Sequence, residues 1–188
     1  MYKGTSSKAI QSQEWLTEAL IRLMEKMPYE KILIRDICRE ADLSRQTFYN
    51  LFESREEILH FYLRRTCQEQ FRRLSGREVL SIDDVVNSFV LVLEQCRPGL
   101  NAMLRNNLTG IIFEEVSNGV ALFSGRFVRQ NRQDAMFSYS KAMLSGALTS
   151  LLLFWLQQEE AVPAEQLTQL LHDFLNGKIY RFPPEAEP

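Results

Sequence analysis

Residues 43–52, LSRQTFYNLF, crowd six polar side chains into one short stretch, and the five after the serine each match part of a nucleic acid. An arginine presents paired donors that match guanine O6 and N7, and Gln or Asn offers the donor–acceptor pair that matches adenine. Hydroxyls of Thr and Tyr hold phosphate oxygens. Here those groups are Arg45, Gln46, Asn50, Thr47 and Tyr49. Arg45, Gln46, Tyr49 and Asn50 stand at i, i+1, i+4 and i+5, so a helix gathers them on one side, while Phe48 and Phe52 fall on the other. Ser44 is a good N-cap, and Leu43 just before it is set to pack on Phe48 as a hydrophobic staple. Taken alone, such a polar side is the ordinary outer face of a surface helix. The elements that position it decide between the two readings.

Glycine and proline are sparse and apolar residues recur at helical spacing, so the expectation is an all-α chain of about nine helices. A first helix spans about residues 11–27, with Leu16, Ala19, Leu20, Leu23 and Met24 on one stripe and Pro28 as its stop. Ile34, Ile37, Cys38 and Ala41 mark a short second helix. A turn at residues 41–44 then leads into the polar stretch, a helix-turn-helix arrangement in which Asp42 tolerates the left-handed backbone a tight turn needs. A fourth helix runs from about 54 to 74. Ser81 with Asp83 and Asp84 opens a fifth, which is expected to end near Cys96, before Pro98 and Gly99. Further helices are expected at about 100–105, 108–123 and 134–158, with Pro163 in the first turn of a last one. The division expected is a DNA-binding domain at 1–53, a helical regulatory and dimerisation domain at 54–182, and a disordered tail at 183–188.

Composition sets limits on function. The chain has 188 residues, 45% of them hydrophobic, and a net charge of −2. Residues 1–65 carry 11 Lys/Arg against 10 Asp/Glu, so a DNA-binding reading rests on where the charges point, not on their balance. No stretch is long and apolar enough to span a bilayer and no apolar run opens the chain, which implies a cytoplasmic protein without a membrane partner. Cys38, Cys67 and Cys96 are odd in number and lack metal-ligand spacing, so they read as reduced packing residues. An enzyme finds little support: His60 and His172 are the only histidines, and there is no phosphate loop and no nucleophile arrangement. Both histidines, and the acidic pair Glu114 and Glu115, read as solvated helix surface. No metal and no cofactor is expected.

Residues 29–59, YEKILIRDICREADLSRQTFYNLFESREEIL, resemble the DNA-binding domain of the TetR/AcrR family of bacterial transcriptional regulators. The shared features are Arg-Asp-Ile at 35–37, the Ala-Asp-Leu-Ser turn, Thr-Phe-Tyr with Phe52 in the recognition helix, and Ser-Arg-Glu-Glu opening the fourth helix. Leu33 stands where the family has a capping Thr or Ser, and Asp42 where it has Gly. The resemblance implies that Arg35 contacts a base or phosphate, that Arg45, Gln46 and Asn50 read bases, and that Ser44, Thr47 and Tyr49 lie along the backbone. It makes Arg55 a phosphate contact at a helix N-terminus. Lys3 and Lys8 read as ordinary mobile amino-terminal lysines.

Residues 142–156 are apolar on nearly every side, too much for a helix with one partner. Ser145, Gly146 and Thr149 would allow close approach, and Leu152, Leu153, Trp155, Leu167, Leu170, Leu171 and Phe174 would supply buried area in a four-helix bundle with a second copy. The resemblance implies a homodimeric regulator, foremost a repressor, on a pseudo-palindromic operator, controlled by a small-molecule effector. Phe89, Phe113, Phe123, Phe127, Phe137 and Tyr139 are candidates to line the effector chamber, although aromatics at helical spacing are usually core. The rival reading is a helical module of the same fold that acts through a protein partner. It predicts erosion of the reading face, yet Arg35, Arg45, Gln46, Tyr49, Asn50 and Arg55 are all present.

Overall fold

A computed structural model describes residues 6–74, 76, 80–124 and 135–179. Phe127, Lys3 and the tail at 183–188 lie outside the described residues. Among the described residues the chain forms eight α-helices and one 3-10 turn, with no strand: α1 Ser7–Lys26, the turn Tyr29–Lys31, α2 Ile34–Glu40, α3 Arg45–Leu51, α4 Arg55–Arg73, α5 Ile82–Arg105, α6 Thr109–Ser124, α7 Ala135–Gln157 and α8 Ala164–Leu175.

Local chemistry sets most of these boundaries. Ser6, Ser44, Ser54 and Ser81 each accept a backbone N–H of the first turn that follows. Leu33 has no acceptor for that role, and α2 is capped by half of the usual pair: the Asp36 carboxylate accepts from the Leu33 N–H at 3.1 Å. Three helices close with a residue at positive φ, namely Asp42 (53°), Asn107 (57°) and Gly177 (68°). At each, the next residue's N–H reaches back to a carbonyl of the last turn, as Leu43 does to Cys38 at 2.9 Å. The left-handed Asp42 expected from the sequence is therefore the hinge of the helix-turn-helix.

The break expected at Pro98 and Gly99 is absent, and the helices expected at 81–96 and 100–105 are one, which reduces the count from nine to eight. Pro98 does remove a helical hydrogen bond. It sits on the exposed side, with Glu94 one turn before it also exposed, so the freed carbonyl faces water. On the inner side Leu93 and Cys96 before it, and Leu100 and Met103 after it, are buried in one core and hold both halves in line. Gly99 serves a close approach and not a stop: it lies flat on the Tyr62 ring of α4, where any Cβ would overlap the ring.

The core is continuous from end to end. Leu16 and Leu20 of α1, Ile37 of α2, Phe48 of α3, Phe52, and Ile58 and Leu59 of α4 close the amino-terminal part. The same cluster extends through α5 to Leu152 and Trp155 of α7 and to Leu167 and Leu171 of α8. Helix α4 packs on α1, α5 and α6, so it is shared by both halves of the molecule.

Candidate nucleic-acid interface and interior cavity

Helix α3 is short, and its orientation comes from what it buries. Phe48 is fully enclosed, Phe52 nearly so, and the two rings pack on each other with Phe52 also edge-on to Phe61 of α4. Leu43 joins this core. With that side pinned, Arg45, Gln46, Tyr49 and Asn50 are all exposed on the other, and Tyr49 is 58% exposed. Thr47 is half-buried, its hydroxyl 2.8 Å from the Ser44 hydroxyl, which ties both to the cap of the helix.

Arg35, at the start of α2, is exposed and shares an open groove with Arg45 and Tyr49, walled by Glu30, Leu33 and Arg55. The structure therefore brings Arg35 to the face of the recognition helix. It holds Arg55 differently from the phosphate role the resemblance implied. One guanidinium nitrogen, Nη1, donates to the Tyr29 carbonyl at 2.8 Å and to the Ile32 carbonyl, and the guanidinium lies 4.5 Å from the Tyr29 ring centre. Arg55 thus ties the loop ahead of α2 to the start of α4.

That loop has a second clamp which sequence reasoning missed. Asn106, at the end of α5, accepts from the Tyr29 N–H at 2.7 Å and donates to the Ala102 and Met24 carbonyls at 2.8 and 3.5 Å. No local pattern could have shown a bond between residues this far apart.

The interior holds a cavity of about 90 Å³. Of the aromatics named for a chamber, Phe89 and Phe123 line it. Phe113 and Tyr139 are exposed instead, Phe113 because Ile112 and Glu115 of its turn fill the core side, and Phe137 is not among the residues that line the cavity. The other walls are chiefly aliphatic, with Glu115 as the charged exception. Glu115 was expected on a solvated surface with His60. The structure buries its carboxylate and pairs it with His60 and Arg64 of α4.

The face for a second copy also differs from expectation. Ser145, Thr149, Leu152, Trp155, Leu167 and Leu171 are buried by the chain itself, because α7 turns its small and large residues alike onto α6 and α5 while α8 packs on α5. Gly146 and Leu153 are half-buried, while Leu170 and Phe174 are exposed. The exposed side of α7 carries Ser140, Met143, Ala147, Ser150 and Phe154, in alternating steps of three and four. Burial raises the thiol pKa of all three cysteines, that of Cys67 to about 11, which fits packing and not redox chemistry. Among the described residues, no cluster could hold a metal ion and no helix is long and apolar enough to cross a membrane.

Comparison with known proteins places this geometry. Residues 16–60 match the model of bacterial regulatory proteins, tetR family. Over 183 residues, 95% of the chain, it is 25% identical to the HTH-type transcriptional regulator YxbF of Bacillus subtilis, of which it covers 48%. Over 52 residues it is 40% identical to DhaS of Lactococcus lactis, the HTH-type dhaKLM operon transcriptional activator, of which the match covers 28%. The chain therefore spans less than two thirds of either relative. Among solved structures, Lin0861 from Listeria innocua shares the fold at a TM-score of 0.75 with 18% identity, covering 93% of this chain and 94% of that one. The dihydroxyacetone kinase operon activator DhaS does so at 0.61 with 19% identity, covering 90% and 97%. Its amino-terminal helices, over residues 16–60, are thus similar to those of the tetR family of bacterial regulatory proteins, and the whole chain shares its fold with Lin0861 and DhaS.

Proposed function

We propose that this protein is a sequence-specific DNA-binding transcriptional regulator, acting as a homodimer on a pseudo-palindromic operator and controlled by a small-molecule effector. One observation carries the reading. Arg45, Gln46, Tyr49 and Asn50 stand free on one side of a helix whose opposite side is locked by Phe48 and Phe52. A helix so fixed enters a major groove with its reading groups already placed. Arg45, Gln46 and Asn50 take base edges, Ser44, Thr47 and Tyr49 follow the phosphates, and Arg35 adds a cation from α2. Arg55 acts through the loop it holds. In this reading residues 1–53 form the DNA-binding domain and 54–182 the regulatory and dimerisation domain.

The dimer forms through the exposed strip Ser140, Met143, Ala147, Ser150 and Phe154 of α7, with Leu170 and Phe174 of α8 beside it. Met143 is 76% and Phe154 63% exposed, and residues in alternating steps of four and three form the seam of a helix pair. Two such pairs meet as a four-helix bundle about a two-fold axis, which presents two copies of α3 to a symmetric site. Repression by blocking polymerase is the simplest consequence of occupying an operator. DhaS, which carries the name of an activator, keeps the opposite polarity open to the test.

Selection of a random duplex library by the purified protein at fixed salt tests the proposal. An enriched two-fold symmetric site is expected, and it should be lost in an Arg45→Ala, Tyr49→Ala variant. Absence of enrichment at every salt concentration refutes the reading and favours a module that works through a protein partner.

A further inference from the structure

Among the described residues that line the interior cavity Glu115 is the single charged one, and its side chain is only 4% exposed. Its two oxygens are unequally served. Oε1 accepts from Arg64 Nη2 at 2.6 Å, from His60 Nδ1 at 2.8 Å and from Asn118 Nδ2 at 3.4 Å. Oε2 receives one long bond, from Arg64 Nε at 3.4 Å. A carboxylate has about four acceptor positions, so the buried Oε2 has capacity for a further donor. Ser88, also in the wall, already donates to the Asp84 carbonyl at 2.7 Å.

The same carboxylate reaches the surface side of the wall. Cys67, Glu115 and Gly119 line both the cavity and an outer groove along the α4–α6 seam, where Arg64, Gln68 and Asn118 also stand. Gly119 packs closely on α4 there: an added Cβ would lie 3.2 Å from Cys67 Sγ.

We propose that cavity and groove together form the binding site of a small, neutral, largely aliphatic molecule with one hydrogen-bond donor, of which a short-chain alcohol is the simplest. Its hydroxyl donates to Glu115 Oε2. A cavity of 90 Å³ has room for about three water-sized groups, which sets the length of the enclosed chain. An ammonium would leave water for an apolar wall and stand beside Arg64, and a carboxylate would meet the charge of Glu115. The described walls, including Val85, Phe89, Val116 and Phe123, suit the chain, and beside Glu115 only the Ser88 hydroxyl could accept from a second hydroxyl of a polyol.

Occupancy acts on α4. A donor at Oε2 competes with Arg64 and redistributes the bonds from Arg64 and His60, one turn apart on that helix. The start of α4 carries Arg55, which holds the loop ahead of α2. Control of DNA affinity through this route rests on the regulatory reading above, whereas binding at the site does not.

The test is an NMR titration of the full chain with 1-butanol and three relatives of similar size: methyl propyl ether, which lacks the donor, butylammonium and butyrate. For butanol we expect saturable shifts at residues 64–67 and 115–119 with Kd in the roughly millimolar range that ligands of this size reach. The ether and butylammonium should bind at least tenfold more weakly, and butyrate should not saturate. Val116→Phe, verified as folded by its own spectrum, should abolish the butanol shifts; should it not fold, the four-probe comparison on the unmodified protein still decides. Equal binding of ether or butyrate, or no saturable binding by butanol, overturns the proposal. Butanol binding that leaves operator affinity unchanged upholds the site and removes only its control of DNA.

Discussion

Asn106→Ala tests how the amino-terminal helices are fastened to the rest of the molecule. The Asn106 carboxamide bridges the Tyr29 N–H, at 2.7 Å, and the Ala102 carbonyl, at 2.8 Å, with a longer bond to Met24. Tyr29 is buried, so alanine leaves its N–H without an acceptor and without ready access to water. An orphaned buried donor costs about 1–3 kcal/mol, while the lost side-chain bond to Ala102, whose carbonyl keeps the Asn106 backbone N–H at 3.2 Å, adds about 0.5–1 kcal/mol. The expected total is about 1.5–4 kcal/mol. In a urea titration the midpoint should fall with the slope unchanged, because no additional surface is exposed on unfolding. Hydrogen exchange separates this account from a general loss of stability: the Tyr29 amide should lose protection ahead of the α5 amides. Asn106→Asp keeps the acceptor for Tyr29, so it should retain Tyr29 protection while losing stability through a negative charge at a helix C-terminus. A loss below about 0.5 kcal/mol in Asn106→Ala, inside the range of ordinary surface substitutions, would show that the clamp contributes nothing.

Arg55→Ala should lower stability by about 2–3 kcal/mol through two charge-assisted bonds and a ring contact. At temperatures where the variant is folded it should keep the salt dependence of DNA binding; a flatter slope would restore the phosphate role. Cys67 should resist thiol reagents at pH 8 and react appreciably only as pH approaches its pKa of about 11, since a raised pKa leaves little thiolate below it; rapid labelling of the folded protein at pH 8 would contradict that. Met143→Glu together with Phe154→Glu should give a folded monomer by sedimentation, because two charges per chain would face their copies across the two-fold axis; an unchanged mass would exclude the α7 strip as the interface.

The reading helix was legible because its chemistry and its packing share one ten-residue stretch. Spacing alone separated Phe48 and Phe52 from Arg45, Gln46, Tyr49 and Asn50. Asp42 was legible for the same reason, since a left-handed residue between two short helices is a local requirement. Pro98 was misread because a local rule ends a helix there, while the core that overrides it includes α4 and α8. Arg55 and Asn106 were illegible as clamps: both hold backbone groups of the Tyr29–Ile32 loop, and backbone partners leave no mark in a sequence. Glu115 was misread through its neighbour. Glu114 is exposed and Glu115 buried, and the side chains that neutralise Glu115 lie on another helix. The dimer strip was half legible, in that excess apolarity on α7 was evident while the side that stays free depends on how α7 sits against α5 and α6.

The central claim is that the exposed side of α3 reads bases, and base-resolved selection with single variants tests it most directly. Arg45→Ala and Gln46→Ala should each relax preference by about 1–3 kcal/mol, at two symmetric positions that differ between the variants, and leave the rest of the enriched site intact. Selection profiles identical to that of the unmodified protein would contradict the account, because the groups assigned to reading would then read nothing.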